Sequence, residues 1–136
     1  MKILKSIIVI ISLFTAINYA QVSVVVNKSF EGSLNKSDIT LLFSGQIMNY
    51  SNGDKALLVD QPETEAGKIF YNAMGLNSGQ VKVEWTKLVL SGQMKAPIKC
   101  SSDDEVKKAV AKNKNALGFI LTKNLDDTVK EIYKIK

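Results

Sequence analysis

Three carboxylates lie close together after an apolar segment in the middle of the chain. Asp60 follows the apolar residues 56–59, and Glu63 and Glu65 come three and five residues later. Paired carboxylates perform acid and base catalysis where their surroundings separate their pKa values. Acidic residues are also favoured in the first turn of a helix by the helix dipole alone. Because that explanation needs no further partner, we interpret these acids as structural and do not expect an enzyme.

The other residue types exclude several kinds of reactive site. The sequence has no histidine and a single cysteine, Cys100. A Ser-His-Asp triad, a Cys-His pair and a histidine-ligated metal site therefore cannot form. The glycine spacing of a phosphate-cradling loop and the acidic spacing of a calcium loop are also absent. We expect no catalytic residue, no metal and no cofactor. Cys100 follows an apolar segment, which favours a buried thiol over one that pairs between chains.

Residues 56–71 predict a strand, a short polar turn and then a helix. Amide groups at a helix N-terminus carry partial positive charge, and ligands of α/β proteins bind at such junctions. We therefore expect any small-molecule site here. Glu63 and Glu65 disfavour an anion as its occupant.

Length and composition indicate one globular domain with a hydrophobic core. The chain has 136 residues, of which 46% are hydrophobic and 23% charged, a size too small for two well-formed domains. Every basic residue is a lysine. Arginine makes the bidentate contacts that recognise phosphates and bases, so we do not expect nucleic acid as a partner.

The N-terminus has the pattern of a secretory signal peptide. Lys2 and Lys5 precede an apolar run at residues 7–16, and residues 18–20 offer a cleavage site before Gln21. The run is shorter than the roughly 20 residues of a membrane-spanning helix, which disfavours the alternative of a transmembrane anchor. We therefore expect residues 1–20 to be removed. Residues 21–136 would then be periplasmic or secreted, without stable membrane insertion.

Strand and helix patterns alternate along the remainder of the chain. The predicted strands cover residues 22–27, 56–59, 97–100, 116–121 and 128–135, the last at a sheet edge. Capping boxes at Asn35 and Ser102 predict two helix starts, the second helix ending at Asn115. Two further helices run to Met74 and from Ser78 to about residue 90. Trp85 is predicted to be core, with a ligand-stacking aromatic as the alternative. These elements predict a single α/β domain with a small, mostly buried sheet covered by helices.

The order of these segments resembles a known family. Residues 38–47 and 49–53 look like the segment "helix, Phe-x-Gly-x-Ile, then Asn-Trp-x-x-Gly" of phosphate-binding periplasmic proteins, and residues 64–71, 85–92 and 116–120 continue the match in order. In particular, the chain resembles small phosphate transporter substrate-binding-like proteins that keep one lobe of the type II periplasmic-binding fold. The resemblance implies a single three-layer-like α/β lobe, with a small mixed sheet flanked by helices. It also implies a periplasmic, non-enzymatic binding role related to ABC transporters.

The family's phosphate motif is Ser-Gly-Thr at the start of a helix. The corresponding residues here are Thr64, Glu65 and Ala66, so one hydroxyl is kept, the glycine is an acid and the second hydroxyl is lost. A carboxylate about 4 Å from a phosphate repels it by roughly 1 to 4 kcal/mol, depending on the effective dielectric constant. The resemblance implies a ligand site near Ser29, Ser44 and Thr64, with Glu65 and Ala66 beside it.

Two functions of different classes follow. The first is a solute-binding-like protein whose ligand is phosphate or another small anion. The second is a protein-interaction or assembly module of the bacterial envelope that has lost ligand binding and packs its old ligand face against another envelope protein. The expected mature chain, with one lobe and an acid at the site, motivates this alternative.

Overall fold

Five strands and four α-helices are formed by residues 20–136, the part of the chain that this computed structural model describes. The strands are β1 Val22–Val26, β2 Leu57–Asp60, β3 Ile98–Lys99, β4 Ala116–Leu121 and β5 Lys130–Ile135. The helices are α1 Lys36–Phe43, α2 Glu65–Met74, α3 Ser78–Leu90 and α4 Asp103–Lys112, and a 3-10 turn at Thr122–Asn124 follows β4. The predicted signal peptide lies outside the described residues except for Ala20. Within them, no helix combines the length and the hydropathy needed to cross a membrane.

The strands form one mixed sheet in the order β3-β2-β4-β1-β5. β2 pairs in parallel with both β3 and β4, whereas β1 pairs antiparallel with β4 and β5. One strand, β1, therefore runs against the other four. The predicted mixed sheet is confirmed, and β5 lies at an edge as expected.

Helices cover both faces of this sheet. Successive side chains of a strand point to opposite faces. Leu117, Phe119 and Leu121 of β4 belong to the core beneath α1, α2 and α3. Ala116 and Ile120 belong to a second cluster beneath α4. The three-layer α/β architecture predicted from the sequence is confirmed.

The helix starts follow their predicted caps closely. Asn35 and Asp38 form the complete capping box, each side chain accepting the other residue's backbone N–H at 2.8 and 2.9 Å. At α4, the hydroxyl of Ser102 accepts the Glu105 N–H at 3.2 Å. The Glu105 carboxylate accepts from the N–H of Ser101 at 2.6 Å instead of closing the box on Ser102.

The predicted end of α4 at Asn115 is wrong. The helix ends at Lys112, and Asn113 adopts an extended backbone with φ −124° and ψ 114°. The side-chain amide of Asn113 donates to the Ala109 carbonyl at 2.7 Å. This side chain therefore caps the last turn two residues earlier than predicted.

Aromatic packing holds α2 against β4. The ring of Phe70 stacks on Phe119 with centroids 4.0 Å apart and planes 5° apart, and Phe43 meets Phe70 edge-on at 4.7 Å. Both Phe70 and Phe119 are fully buried. Trp85 and Cys100 are also buried, as predicted.

Gly67 allows the first turn of α2 to touch the turn that precedes it. A Cβ at this position would lie 2.1 Å from the carbonyl oxygen of Gln61 and 2.8 Å from the backbone of Pro62. Backbone atoms cannot rotate away as a flexible side chain can. The junction between β2 and α2 therefore requires glycine here.

We expect Gly67→Ala to destabilise the protein by at least about 2 kcal/mol, because the new methyl group forces the helix away from the turn. Urea unfolding monitored by circular dichroism measures this loss. Gly79→Ala is the matched control, since a Cβ there meets only the side-chain oxygen of Asn77 at 3.3 Å. Equal losses in the two variants would contradict the prediction.

Candidate functional site

The carboxyl ends of β2, β3 and β4 lie at one edge of the sheet because these strands are parallel. Both α2 and α4 begin at this edge, which we call the carboxyl edge. Crevices outside the carboxyl ends of strands are the common ligand sites of open α/β sheets. The strand-turn-helix junction predicted from residues 56–71 is therefore in the expected position.

Thr64 is the N-cap of α2. Its hydroxyl accepts the Gly67 N–H at 3.1 Å and donates to the Gln61 carbonyl at 2.9 Å. The first amides of a helix have no partners within the helix, and those of Glu65 and Ala66 precede the amide that Thr64 caps. The methyl group of Ala66 is buried, whereas the side chain of Glu65 is exposed. The structure thus brings Thr64, Glu65 and Ala66 together at one helix end.

Ser29 and Ser44 belong to other segments of the chain. Ser29 follows β1, whose last residue Val26 pairs with Leu117 near the start of β4. Ser29 is thus at the opposite edge of the sheet from Thr64, and its hydroxyl donates to the Asn27 side chain at 2.7 Å. Ser44 caps the end of α1, where its hydroxyl donates to the Leu41 carbonyl at 3.1 Å. Ser29 therefore cannot contact a ligand that is held at Thr64 in this structure.

An open groove begins at the N-terminus of α2 and follows one face of the helix. Its volume is about 1020 Å³, and its walls are formed by α2, by the end of β5 and by Ala20. Glu65 and Lys68, one turn apart, contribute opposite charges to the same wall, together with Asn72. The charge at this helix end is therefore mixed and not simply negative.

Asp60, the last residue of β2, is an ionisable group almost completely removed from solvent, with 2% of its surface exposed. One carboxylate oxygen accepts from the hydroxyl of Tyr71 at 2.9 Å. Burial raises the pKa of Asp60, while the Tyr71 hydrogen bond and the charges of Lys82 and Lys99 oppose this rise. Burial and the nearby carboxylate also raise the pKa of Tyr71.

A hydrogen-bonded connection at the carboxyl edge was not predicted from the sequence. The fully buried Gln61 donates to the Asp103 carboxylate at 2.7 Å and to the Phe119 carbonyl at 2.8 Å. The other oxygen of Asp103 accepts from Asn124 at 2.7 Å and from the Leu121 N–H at 3.2 Å. The first residue of α4 thereby connects β2 to the end of β4. No local pattern marks Gln61 for this role, because its partners are 42 and 58 residues away.

The side chains of residues 20–136 contain no group of three or more histidine, cysteine or acidic residues arranged to hold a metal ion.

Thr64→Ala removes both side-chain hydrogen bonds at the start of α2, and we expect a loss of about 1 kcal/mol in the free energy of unfolding. Thr64→Ser keeps the hydroxyl and is expected to lose much less. Chemical denaturation of both variants beside the wild type measures the difference. If serine and alanine are equally destabilising, the hydroxyl is not what stabilises this turn.

The buried carboxyl group predicts a pH dependence. Because the pKa of Asp60 is raised in the folded chain, the folded protein keeps a proton that the unfolded chain has already lost. The contribution of Asp60 to stability is therefore full below its unfolded pKa of about 3.9 and is lost as pH rises through the folded value. We expect the wild type to lose stability relative to Asp60→Asn over this window.

Urea unfolding of the two proteins at a series of pH values above about 4 gives this difference. Tyr71→Phe removes a hydrogen bond that lowers the pKa of Asp60, so the relative loss should move to higher pH. If the stability of the wild type relative to Asp60→Asn stays constant or increases with pH, this assignment is refuted.

Comparison with solved structures relates the whole arrangement to known proteins. An ABC-type phosphate transport receptor from Vibrio cholerae matches 83% of this chain with a TM-score of 0.64 and 24% identity. A protein described as a phosphate ABC transporter substrate-binding protein, solved with bound phosphate, from Clostridium perfringens matches 83% with a TM-score of 0.66 and 17% identity. PstS from Borrelia burgdorferi matches 74% with a TM-score of 0.53 and 11% identity. No protein-family model matches the sequence, and no curated protein does.

These matches cover 46%, 45% and 41% of the three solved proteins, so the chain spans about half their length or less. At these identities the likeness establishes the fold. The resemblance noted in the sequence is confirmed at that level. The chain has the α/β fold found in phosphate-binding substrate-binding proteins of ABC transporters.

Proposed function

We propose that this chain is a periplasmic or secreted, non-enzymatic solute-binding protein that holds a small anion, such as phosphate, at the N-terminus of α2. The observation that carries the proposal is the position of this helix end. It lies at the carboxyl edge of a sheet whose fold is shared with proteins named for phosphate transport. Helix N-termini bind anions through free amides and the helix dipole.

The local backbone supports this use. Thr64 fixes the first turn of α2 by bonding to both Gly67 and Gln61. Gly67 removes the side chain that would push the turn open. A site whose donors are already held in place loses less free energy on binding than one that must be ordered.

The charges at the site predict weak binding. The helix dipole favours an anion by about 0.3 to 1 kcal/mol. An exposed carboxylate such as Glu65 opposes an anion about 4 Å away by roughly 1 kcal/mol in water. Lys68, on the same wall of the groove, partly compensates. These charge terms nearly cancel, so the affinity must come from hydrogen bonds to the free amides, and we expect dissociation constants for phosphate in the millimolar range.

Calorimetric titration of the purified protein with phosphate, sulfate and acetate tests the proposal. Saturable binding of at least one of these anions is the expected result. Absence of binding at millimolar concentrations of all three would overturn it. The envelope interaction module would then be the better hypothesis.

Replacing Glu65 by Gln should tighten anion binding by roughly fivefold, because it removes about 1 kcal/mol of repulsion while leaving the helix start intact. Glu84→Gln makes the same change of charge at an exposed position of α3 and should leave the affinity nearly unchanged. If the two substitutions have similar effects, either the anion binds elsewhere or only the net charge of the protein changes the affinity.

A further inference from the structure

A second groove lies between α3 and β3 and shares no lining residue with the anion site. Its volume is about 340 Å³, and we call it the α3–β3 groove. Its apolar walls come from Trp85, Val89, Leu90, Ala96 and Pro97. Small-molecule pockets typically combine such apolar walls with a few polar groups that fix orientation.

Three ionisable side chains border this groove. The buried Asp60 contributes a carboxyl group, and Lys82 and Lys99 contribute ammonium groups. Neither lysine forms an ion pair with an acidic side chain within residues 20–136. The groove therefore offers two ammonium groups and one carboxyl group beside an apolar surface.

Leu90 is exposed to an unusual degree for a leucine at the rim of a cavity, with 83% of its surface accessible. Contact with an apolar group would remove this surface from water, which is favourable in proportion to the area covered. The groove thus has an apolar face without a partner in the described chain.

An added β-strand is a poor occupant for this groove. β3 has only two residues, it is preceded by Pro97, which has no N–H, and it carries the charged Lys99. Short strands, proline and lysine all discourage edge-to-edge pairing. A compact small molecule fits the groove better than an extended polypeptide.

We propose that the α3–β3 groove binds a small zwitterion with an apolar side chain, an apolar α-amino acid such as leucine. The ligand carboxylate lies against Lys82 and Lys99, its ammonium group faces Asp60, and its side chain covers Leu90, Val89 and Pro97. Each ionisable side chain of the groove thus faces a ligand group of opposite charge. The proposal does not depend on anion binding at α2.

The single tryptophan of the chain provides the measurement. Trp85 lines the groove, and its indole N–H is held by the Phe43 carbonyl at 2.8 Å, so its emission reports on the wall of the cavity. Titration with L-leucine, followed by tryptophan fluorescence and calorimetry, should show saturable binding. The analogues 3-methylbutylamine, which lacks the carboxylate, and 4-methylpentanoate, which lacks the ammonium group, should each bind at least about tenfold more weakly.

Two pairs of variants locate the site. Lys99→Met should weaken leucine binding by roughly tenfold, whereas Lys95→Met, an exposed lysine that does not line the groove, should not. Leu90→Ala should also weaken binding, and Val83→Ala, the same kind of exposed truncation on α3, should not. Neither Leu90 nor Val83 is buried, so both variants are expected to fold.

Three results would overturn the proposal. The first is no binding of leucine by calorimetry at millimolar concentration. The second is equal binding of leucine and 4-methylpentanoate, which would indicate an anionic amphiphile and not a zwitterion. The third is an equal loss of leucine affinity in the groove variants and in their control variants. Phosphate titration of the same samples keeps this outcome separate from that of the α2 site.

Discussion

The structure depends on the close approach of α2 to the turn that follows β2. At Gly67, helix and turn come within the distance that one methyl group would occupy. Because this contact is made between backbone atoms, it sets where α2 begins and how its axis leaves the sheet. The stacked rings of Phe70 and Phe119 then hold that direction one turn further along. The exposed N-terminus of α2 is thus positioned by aromatic packing against β4 and by the hydrogen bond between Thr64 and Gly67.

The last residue of β2 and the residue after it contribute to two different surfaces. Asp60 borders the α3–β3 groove, while the carbonyl of Gln61 anchors the turn that leads into α2. Tyr71 reaches back from α2 to the Asp60 carboxylate. A buried, hydrogen-bonded carboxyl group at the end of a central strand therefore lies between the helix that would hold an anion and the groove that would hold a zwitterion.

Local signals predicted most of the elements, and long-range contacts account for what they missed. The Asn35 cap and the apolar run at residues 116–121 depend only on neighbouring residues, so both can be recognised in the sequence. The direction of β1 is different, because only its pairing with β4 and β5 sets it. That direction places Ser29 at the far edge from Thr64. The Gln61–Asp103 bond likewise joins segments far apart in the chain, and the α3–β3 groove is completed by Asp60 of β2.

The two faces of the sheet are covered by different numbers of helices. Three helices share the larger core, whereas within the described residues α4 is the only helix on the other face, where Leu125 and Val129 pack beside it. The first residue of α4, Asp103, accepts the hydrogen bond of the buried Gln61 amide at the carboxyl edge, and its second oxygen accepts from Asn124 and from the Leu121 N–H. One carboxylate therefore joins the start of α4 to the ends of two strands, so a displacement of this helix would also displace the turn that leads into α2.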